Sequence, residues 1–357
     1  MGSIFVVTRQ DKLSLRNWLV ILSLWFLAFS WFCGPAAAES QEEWTAKLVQ
    51  GAKKEGNLRF STGMRAEEAD KLIKRFNEKY PFLKVVLNRA TGQKAVTKIL
   101  AEARAGMHNY DVYQTSFTVF SILKEHGLLT KYISPESKYY PKMLVDPAGY
   151  WTDHYSSFFV MGYNTKLVPA REAPKNLTDL LDPKWKGKMG MDDKAFEWFA
   201  GVLRSMGEEN GLRFFEKLAQ QDIQFRTGKP LITQLMAAGE IRFGIALYGD
   251  MIEELKTHGA PIEWVPFDPV VLILHPLSLS AHARNPNAAR LFVDFLLSRE
   301  GQEMLVDMYR TSKRIDVKSK REGIKEGIKL LPYDASFMGD YEKNVKLFRQ
   351  ILLKTRR

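Results

Sequence analysis

Cysteine is almost absent from this sequence, and the motifs of several enzyme classes are missing. The chain of 357 residues has one cysteine, Cys33. Cys33 lies in a segment that we predict to be removed, so the mature chain is left without a disulfide, a thiol nucleophile or a cysteine-based zinc site. None of the six histidines has another four residues away, which excludes the usual helix-borne zinc motif. The sequence also has no P-loop and no G-x-S-x-G motif.

A nearly continuous apolar run near the N-terminus has the features of a secretory signal. Arg9, Lys12 and Arg16 form a basic region, and the apolar run follows over residues 18–32. The run is short for a membrane span, and the alanines that end at Ala38 form an A-x-A cleavage sequence. We therefore predict a signal peptide at residues 1–38, cleaved after Ala38, and a periplasmic location. An uncleaved membrane anchor is the alternative.

Acidic residues are fewer than basic ones. The chain has 52 basic and 41 acidic residues, and removal of residues 1–38 leaves 49 minus 40, a net charge of +9. The basic residues are spread along the chain and do not interleave with aromatic residues, so nucleic acid is not an expected partner. A mild positive field would help to gather anionic solutes.

Strand-like and helix-like segments alternate after the signal segment. Residues 57–60, 83–87 and 111–113 have the composition of strands, and residues 67–79 and 92–105 have apolar positions at helical spacing. Alternation of this kind predicts an α/β fold with a parallel or mixed, doubly wound sheet.

One stretch, residues 222–250, predicts a ligand site at the edge of such a sheet. Its alternating apolar residues predict two strands, and Pro230 and Gly239 are suited to the start and the end of a helix between them. If the strands are parallel neighbours, Thr227, Gly228 and Tyr248 follow their carboxyl ends, where open α/β sheets bind ligands. A helix N-terminus at Gly228 would favour an anion. A buried turn that binds nothing is the alternative.

Several longer motifs resemble one family of transport proteins. They are GNLRFSTG at residues 56–63, LTDLLDPKWKGKMGMDD at residues 177–193 and NPNAARLFVDFLLSREGQEML at residues 285–305. These motifs resemble the periplasmic solute-binding proteins of ABC transporters, in the branch typified by ferric-iron-binding proteins. The resemblance covers nearly all of residues 55–352. It implies a monomer that captures a solute and presents it to an ABC permease in the inner membrane.

The resemblance also implies the two-lobed α/β fold of type II periplasmic binding proteins, with mixed sheets and a hinge of crossing strands. The chain would cross between lobes at residues 150–165 and 262–278. Residues 41–155 and 268–357 would then form lobe one, and residues 156–267 lobe two. One continuous doubly wound domain is the alternative.

In the ferric-binding relatives, adjacent tyrosines, a histidine and a glutamate supply the iron ligands. Here Tyr248 matches the first tyrosine, but Gly249 follows it. Thr62, Gly63 and Met64 stand where the histidine is expected, and Gln114, Thr115 and Ser116 where the glutamate is expected. We therefore expect no metal cofactor, and Fe(III) remains only as an alternative cargo that would use Tyr248.

The remaining side chains predict a site of hydroxyl groups and backbone N–H groups for a small anionic or polar solute. The predicted ligand-binding residues all follow predicted strands, and they are Ser61, Thr62, Thr115, Ser116, Asp192, Thr227, Gly228 and Tyr248. We expect Asp192 or Asp193 to cap the next helix, and Lys229 to face solvent.

An enzymatic alternative depends on one short motif. Ser121 and Lys124 match S-x-x-K, the nucleophile motif of some serine hydrolases, but its companion motifs are missing. We predict that the protein is not an enzyme and keep a Ser121/Lys124 hydrolase as a remote alternative.

Overall fold

Helices and strands alternate along the chain as the sequence predicts. The computed structural model describes residue 2 and residues 40–318 and 329–353, so the predicted signal peptide lies outside the described residues apart from Gly2. None of the helices in these ranges is long and apolar enough to span a membrane. The α-helices are α1 Gln41–Glu55, α2 Ala66–Lys79, α3 Gly92–Arg104, α4 Phe117–Glu125, α5 Phe196–Met206, α6 Glu208–Ala219, α7 Lys229–Ala238, α8 Gly249–Thr257, α9 Pro286–Leu297, α10 Arg299–Asp307 and α11 Tyr341–Phe348.

The strands pair in a mixed sheet. They are β1 Asn57–Thr62, β2 Lys84–Arg89, β3 Val112–Gln114, β4 Leu129–Thr130, β5 Thr152–Asn164, β6 Met189–Asp192, β7 Gln224–Arg226, β8 Phe243–Tyr248, β9 Ile262–Val265, β10 Val270–Ser280 and β11 Leu330–Tyr333. The main order is β2-β1-β3-β10-β5-β8-β6-β7. The strands β1, β2 and β3 are parallel, as are β6, β7 and β8, whereas β10 runs antiparallel to β3 and β5. The predicted mixed α/β class is confirmed.

The two long strands β5 and β10 lie in the middle of the sheet. The first half of β5 pairs with β10, and its second half pairs with β8 and β9. Every residue of β5 is buried, which is expected for a strand covered on both faces. These strands overlap the two predicted crossing segments, and the lobe boundaries stay a prediction.

The C-terminal segment packs on the two helices α5 and α6. Helix α11 packs on α5, and the π-helical turn Arg349–Leu353 packs on α6. Phe348 is fully buried there, with its ring 5.1 Å from that of Phe196 and 5.7 Å from that of Phe199. The tail therefore covers helices that belong to the predicted lobe two.

The stretch over residues 222–250 forms the predicted strand, helix and strand. Gly239 ends α7 with a φ of 87°, a left-handed conformation that glycine adopts without strain. The two strands β7 and β8 are not neighbours, which corrects the prediction, because β6 lies between them and is parallel to both. Their carboxyl ends still lie on the same edge of the sheet.

Candidate functional site

A cavity of about 430 Å³ lies where the parallel strands end. The strands β1, β2, β3, β6, β7 and β8 each contribute their last residue or the loop after it: Gly63, Ala90, Thr115, Asp192, Gly228 and Tyr248. The central strands contribute Tyr155, Ser157 and His275. Two groups of strands on either side of β5 and β10 therefore direct their carboxyl ends at one volume, the usual place for a ligand in an open α/β sheet.

Five helices begin at the same cavity. The residues that precede α2, α3, α4, α7 and α8 all line it: Arg65, Thr91, Ser116, Gly228 and Tyr248. None of these five described residues caps its helix with its own side chain. The first N–H groups of a helix have no partner within the helix and carry a partial positive charge. Five such ends around one volume favour an anionic group.

The turn into α7 depends on glycine. Gly228 has a φ of 101°, which other residues rarely adopt, and Pro230 stands in the first turn of the helix. The Gly228 N–H donates to Oδ1 of Asp192, at 3.1 Å. This contact brings the end of β6 and the start of α7 together at the cavity wall.

Lys229 and Asp192 form a buried ion pair in the lining. The Lys229 ammonium donates to Oδ2 of Asp192 at 2.9 Å and lies 5.2 Å from the ring centres of Phe159 and Tyr248. Burial opposes the charge on Lys229, but Tyr248 and Asp192 outweigh it and raise its pKa. The prediction that Lys229 faces solvent is therefore wrong. The capping prediction is also wrong, because α5 begins after Ala195 and neither aspartate caps it.

Two arginines in the lining connect α2 with α8. Arg310 donates to both carboxylate oxygens of Glu68, at 3.1 Å each, and to Asp250. Arg65 pairs with Glu68 at 2.6 Å and with Glu254 at 2.8 Å. Burial opposes the charge of each arginine, but the acidic neighbours outweigh it and raise both pKa values. Both cations therefore stay charged where they meet the cavity.

Buried titratable groups support the centre of the cavity from β5 and β10. The rings of Tyr155 and His275 stack at 4.4 Å, and the backbone N–H of His275 donates to Oδ1 of Asp153 at 2.6 Å. Burial lowers the pKa of His275 to about 3 and raises that of Asp153 to about 7. His275 is therefore neutral at physiological pH.

The structure brings five of the eight predicted ligand-binding residues to the cavity: Thr115, Ser116, Asp192, Gly228 and Tyr248. Ser61 and Thr62 are instead buried inside β1, where the Thr62 hydroxyl donates to the side-chain oxygen of Gln114. Thr227 lies outside the lining and donates to Asp193 at 2.7 Å. Contact between these lining residues and a solute stays a prediction.

Several lining residues were missed: Arg65, Thr91, Tyr155, Ser157, Lys229, His275 and Arg310. The position that identified Ser116 could also have identified Thr91, since Thr91 stands between a predicted strand and a predicted helix. Arg310 follows a helix and belongs to no strand–loop–helix unit, so no local pattern marks it.

The residues of the Fe(III) alternative and of the hydrolase alternative lie in different places relative to the cavity. Tyr248 lines the cavity, whereas Met64 is buried and Gln114 is engaged by Thr62. Among the described residues, no group of three or more His, Cys, Asp or Glu could hold a metal ion. Ser121 and Lys124 lie on α4 outside the lining, and the Lys124 ammonium sits 4.5 Å from the ring centre of Tyr150.

The sequence matches one family model. Residues 110–339 match the model described as bacterial extracellular solute-binding protein. An uncharacterized protein of Haemophilus influenzae is 29% identical over 245 residues, which are 65% of this chain and 70% of that protein.

Solved structures share the fold at low sequence identity. Iron-bound HitA from Pseudomonas aeruginosa has a TM-score of 0.73 and 20% identity, covering 83% of this chain and 99% of HitA. The periplasmic binding protein AfuA from Actinobacillus pleuropneumoniae, with exogenous fructose-6-phosphate bound, has a TM-score of 0.72 and 24% identity, covering 84% of this chain and 99% of AfuA. The predicted fold of the periplasmic binding proteins is thus confirmed.

Proposed function

The chain belongs to the bacterial extracellular solute-binding proteins, and from this premise we propose that its cavity captures a small solute through an anionic group. The observation that carries the proposal is the set of five helix N-termini around one cavity of about 430 Å³. Helix N-termini bind phosphates and carboxylates through backbone N–H groups and the helix dipole. The hydroxyls of Thr91, Thr115 and Ser116 add donors beside them.

The cations of the lining play a smaller part in this proposal. Lys229 is paired with Asp192, and Arg65 and Arg310 share Glu68 and are further paired with Glu254 and Asp250. Their charge is therefore largely compensated before a solute arrives. The starts of α3 and α4 have neither a side-chain cap nor an acidic residue in the first turn, whereas the Gly228 N–H at the start of α7 already donates to Asp192. Affinity for the anion rests mainly on such uncompensated backbone N–H groups.

The proposed role is that of the solute-binding component of an ABC import system. The protein would act as a monomer in the periplasm, with residues 1–38 removed as a signal peptide, and deliver its solute to a permease in the inner membrane. The family gives the extracellular solute-binding role, and the fold supports capture between two groups of strands. N-terminal sequencing of the secreted protein tests the signal, and a first residue other than Glu39 contradicts the predicted cleavage.

A substitution at an N-cap tests the anion site without weakening the helix. Aspartate is a favourable N-cap residue, so Ser116→Asp should keep α4 folded while its carboxylate occupies the free N–H groups and repels an anion. Calorimetric titration with phosphate and propanoate should show binding to the mature wild-type chain. We expect Ser116→Asp to bind both anions with an affinity lower by about tenfold or more.

Ser298→Asp is the matched control. Ser298 caps α10 through its side chain and does not line the cavity, so an aspartate there adds the same charge away from the site. The control should bind like the wild type. Equal binding of propanoate and its neutral amide, or an unchanged affinity in Ser116→Asp, would contradict the proposal.

Capture of Fe(III) is the second candidate, because Tyr155 and Tyr248 both line the cavity. Burial raises the pKa of both phenols, that of Tyr155 to about 12, which opposes the phenolate forms that Fe(III) prefers. A visible charge-transfer band on addition of Fe(III), lost in Tyr248→Phe, would support this candidate over the first.

A further inference from the structure

One carboxylate stands among the cations and helix ends that line the cavity. Arg65, Lys229 and Arg310 contribute positive charge, and among the described lining residues only Asp192 contributes a negative one. A carboxylate beside a bound anion repels it, so a site built for an anion alone would not be improved by one. Asp192 already pairs with Lys229 and accepts from the Gly228 N–H, and its place in the lining also allows it to contact a second group of the solute.

The contacts of Asp192 leave it able to accept another hydrogen bond. Its Oδ1 accepts from the N–H groups of Gly228 at 3.1 Å and Lys194 at 3.3 Å, and its Oδ2 accepts from Lys229 at 2.9 Å. An ionised carboxylate has about four acceptor positions, so these three bonds leave about one for the cavity. Burial opposes its ionisation, but Lys229 outweighs burial and lowers its pKa. Asp192 is thus a charged acceptor held in a fixed position.

The cavity is also larger than an oxyanion needs. Its volume of about 430 Å³ lies within the range of pockets for organic ligands, roughly 300–1,000 Å³. A water molecule accounts for about 30 Å³ in the liquid, so a bare oxyanion of about five heavy atoms would leave much of the space unfilled. Ala95, Val119 and Met251 provide apolar surface for a short hydrocarbon body.

We propose that the solute carries a hydrogen-bond donor, an ammonium or hydroxyl group, separated from its anionic group by a short hydrocarbon body, and that Asp192 accepts from this donor. The proposal rests on the proposed function, since it takes the helix N-termini as the site of the anionic group. It deepens that function by naming the substrate class as amino or hydroxy acids and their phosphate counterparts. Asp192 is then a specificity-determining residue.

Two series of probes that differ only at the end opposite the anion test this. One series is butanoate, 3-aminopropanoate and 3-hydroxypropanoate; the other is propyl phosphate, phosphoethanolamine and 2-hydroxyethyl phosphate. Calorimetric titration of the mature wild-type chain should show an amino or hydroxyl member binding at least about tenfold more tightly than its methyl counterpart. The stronger of the two identifies the donor as ammonium or hydroxyl.

The outcomes separate this inference from the function on which it rests. If the methyl members bind as tightly as the others, the inference is overturned while the anion site stands. If no member of either series binds, the proposed function fails and the inference fails with it. These comparisons use the wild-type chain, so they do not depend on any variant being folded.

A variant then assigns the preference to Asp192. Asp192→Asn keeps an oxygen that can accept from the Gly228 and Lys194 N–H groups but removes the charge. We expect the preferred member to lose about tenfold in affinity, and the methyl member to change far less. The control is Asp193→Asn. The Asp193 carboxylate accepts from Thr227 outside the lining, so its replacement should leave both affinities unchanged. Equal losses for all members in Asp192→Asn would show a structural role and overturn the assignment.

Discussion

The side chain of Lys229 shows how strongly one buried charge depends on its partner. Lys229→Met removes the ammonium and leaves Asp192 buried without a cation, so we expect a loss of about 3–5 kcal/mol in the free energy of unfolding. Without the ammonium, we expect burial, the largest influence on Asp192, to raise its pKa above the unfolded value. The variant should then lose more stability as the pH rises from about 4 to 7. Urea unfolding at several pH values measures both effects.

Lys186→Met is the control for Lys229→Met. Lys186 pairs with Asp222 at 3.5 Å, and both side chains are more than half exposed. An exposed pair of this kind contributes about 1 kcal/mol or less. If both variants lose the same stability, the burial of the Lys229–Asp192 pair has no energetic consequence.

Asp153 gives a prediction with the opposite dependence on pH. Burial raises its pKa from 3.8 to about 7, so the folded state holds a proton that the unfolded state releases. The stability that this proton contributes is fully present below the unfolded pKa of 3.8 and is lost as the pH rises through about 7. The asparagine in Asp153→Asn can still accept from the backbone N–H of His275, and it does not titrate. Its stability relative to the wild type should rise by about 4 kcal/mol between pH 4 and 8, at about 1.4 kcal/mol per pKa unit.

Two buried histidines also make the free energy of unfolding depend on pH in part of this range, but in the opposite direction. Burial lowers the pKa of His154 and His275 to about 3, so their contribution is lost as the pH falls from about 6.5 towards 3. Both histidines remain in Asp153→Asn, so the difference between variant and wild type isolates Asp153. Thermal unfolding from pH 4 to 9 measures it, and a difference that does not change with pH contradicts the buried carboxyl as its source.

Local sequence could predict several hydroxyls, Gly228 and Asp192 of the cavity but not its cations. Ser116 and Gly228 follow a strand and precede a helix, and that position is readable within a few residues. The burial of Lys229 depends on Asp192, 37 residues away, and that of Arg310 on Glu68, 242 residues away. Such partners meet only through the tertiary fold, so a single sequence gives no sign of them.

Among the secondary-structure elements, α2 and α8 are joined across the cavity by two arginines that differ in burial. Arg310→Met leaves Glu68 and Asp250 buried with one cation fewer, and we expect it to cost about 3 kcal/mol or more in unfolding free energy. Arg65 is 43% exposed, and Glu68 keeps Arg310 as a partner when Arg65 is removed. Arg65→Met should therefore cost about 1 kcal/mol or less. Urea unfolding of the two variants compares them directly, and an equal loss would contradict the difference in burial.

Helices and strands were easier to predict than their neighbours in the sheet. The alternation of apolar residues locates β1, β2, α2 and α3 closely, because periodicity is a local property. It cannot show that β6 lies between β7 and β8, or that α11 packs on α5, since both depend on which distant surfaces complement each other. The packing of α11 on α5 depends on the aromatic contacts of Phe348, and no periodicity in the sequence indicates these contacts.

For the molecule as a whole, capture between two groups of strands predicts a change of shape. Lobes that close over a solute by a hinge at β5 and β10 become more compact, so X-ray scattering of the mature chain should show a smaller radius of gyration with a saturating probe than without it. The same probe at about 100 times its Kd should raise the free energy of unfolding by about 2.7 kcal/mol. Ser116→Asp, which should not bind, is expected to show neither change at the same probe concentration, whereas Ser298→Asp should show both. Tight binding to the wild type with an unchanged radius of gyration would mean that the two groups of strands form one rigid body, as in the single-domain alternative.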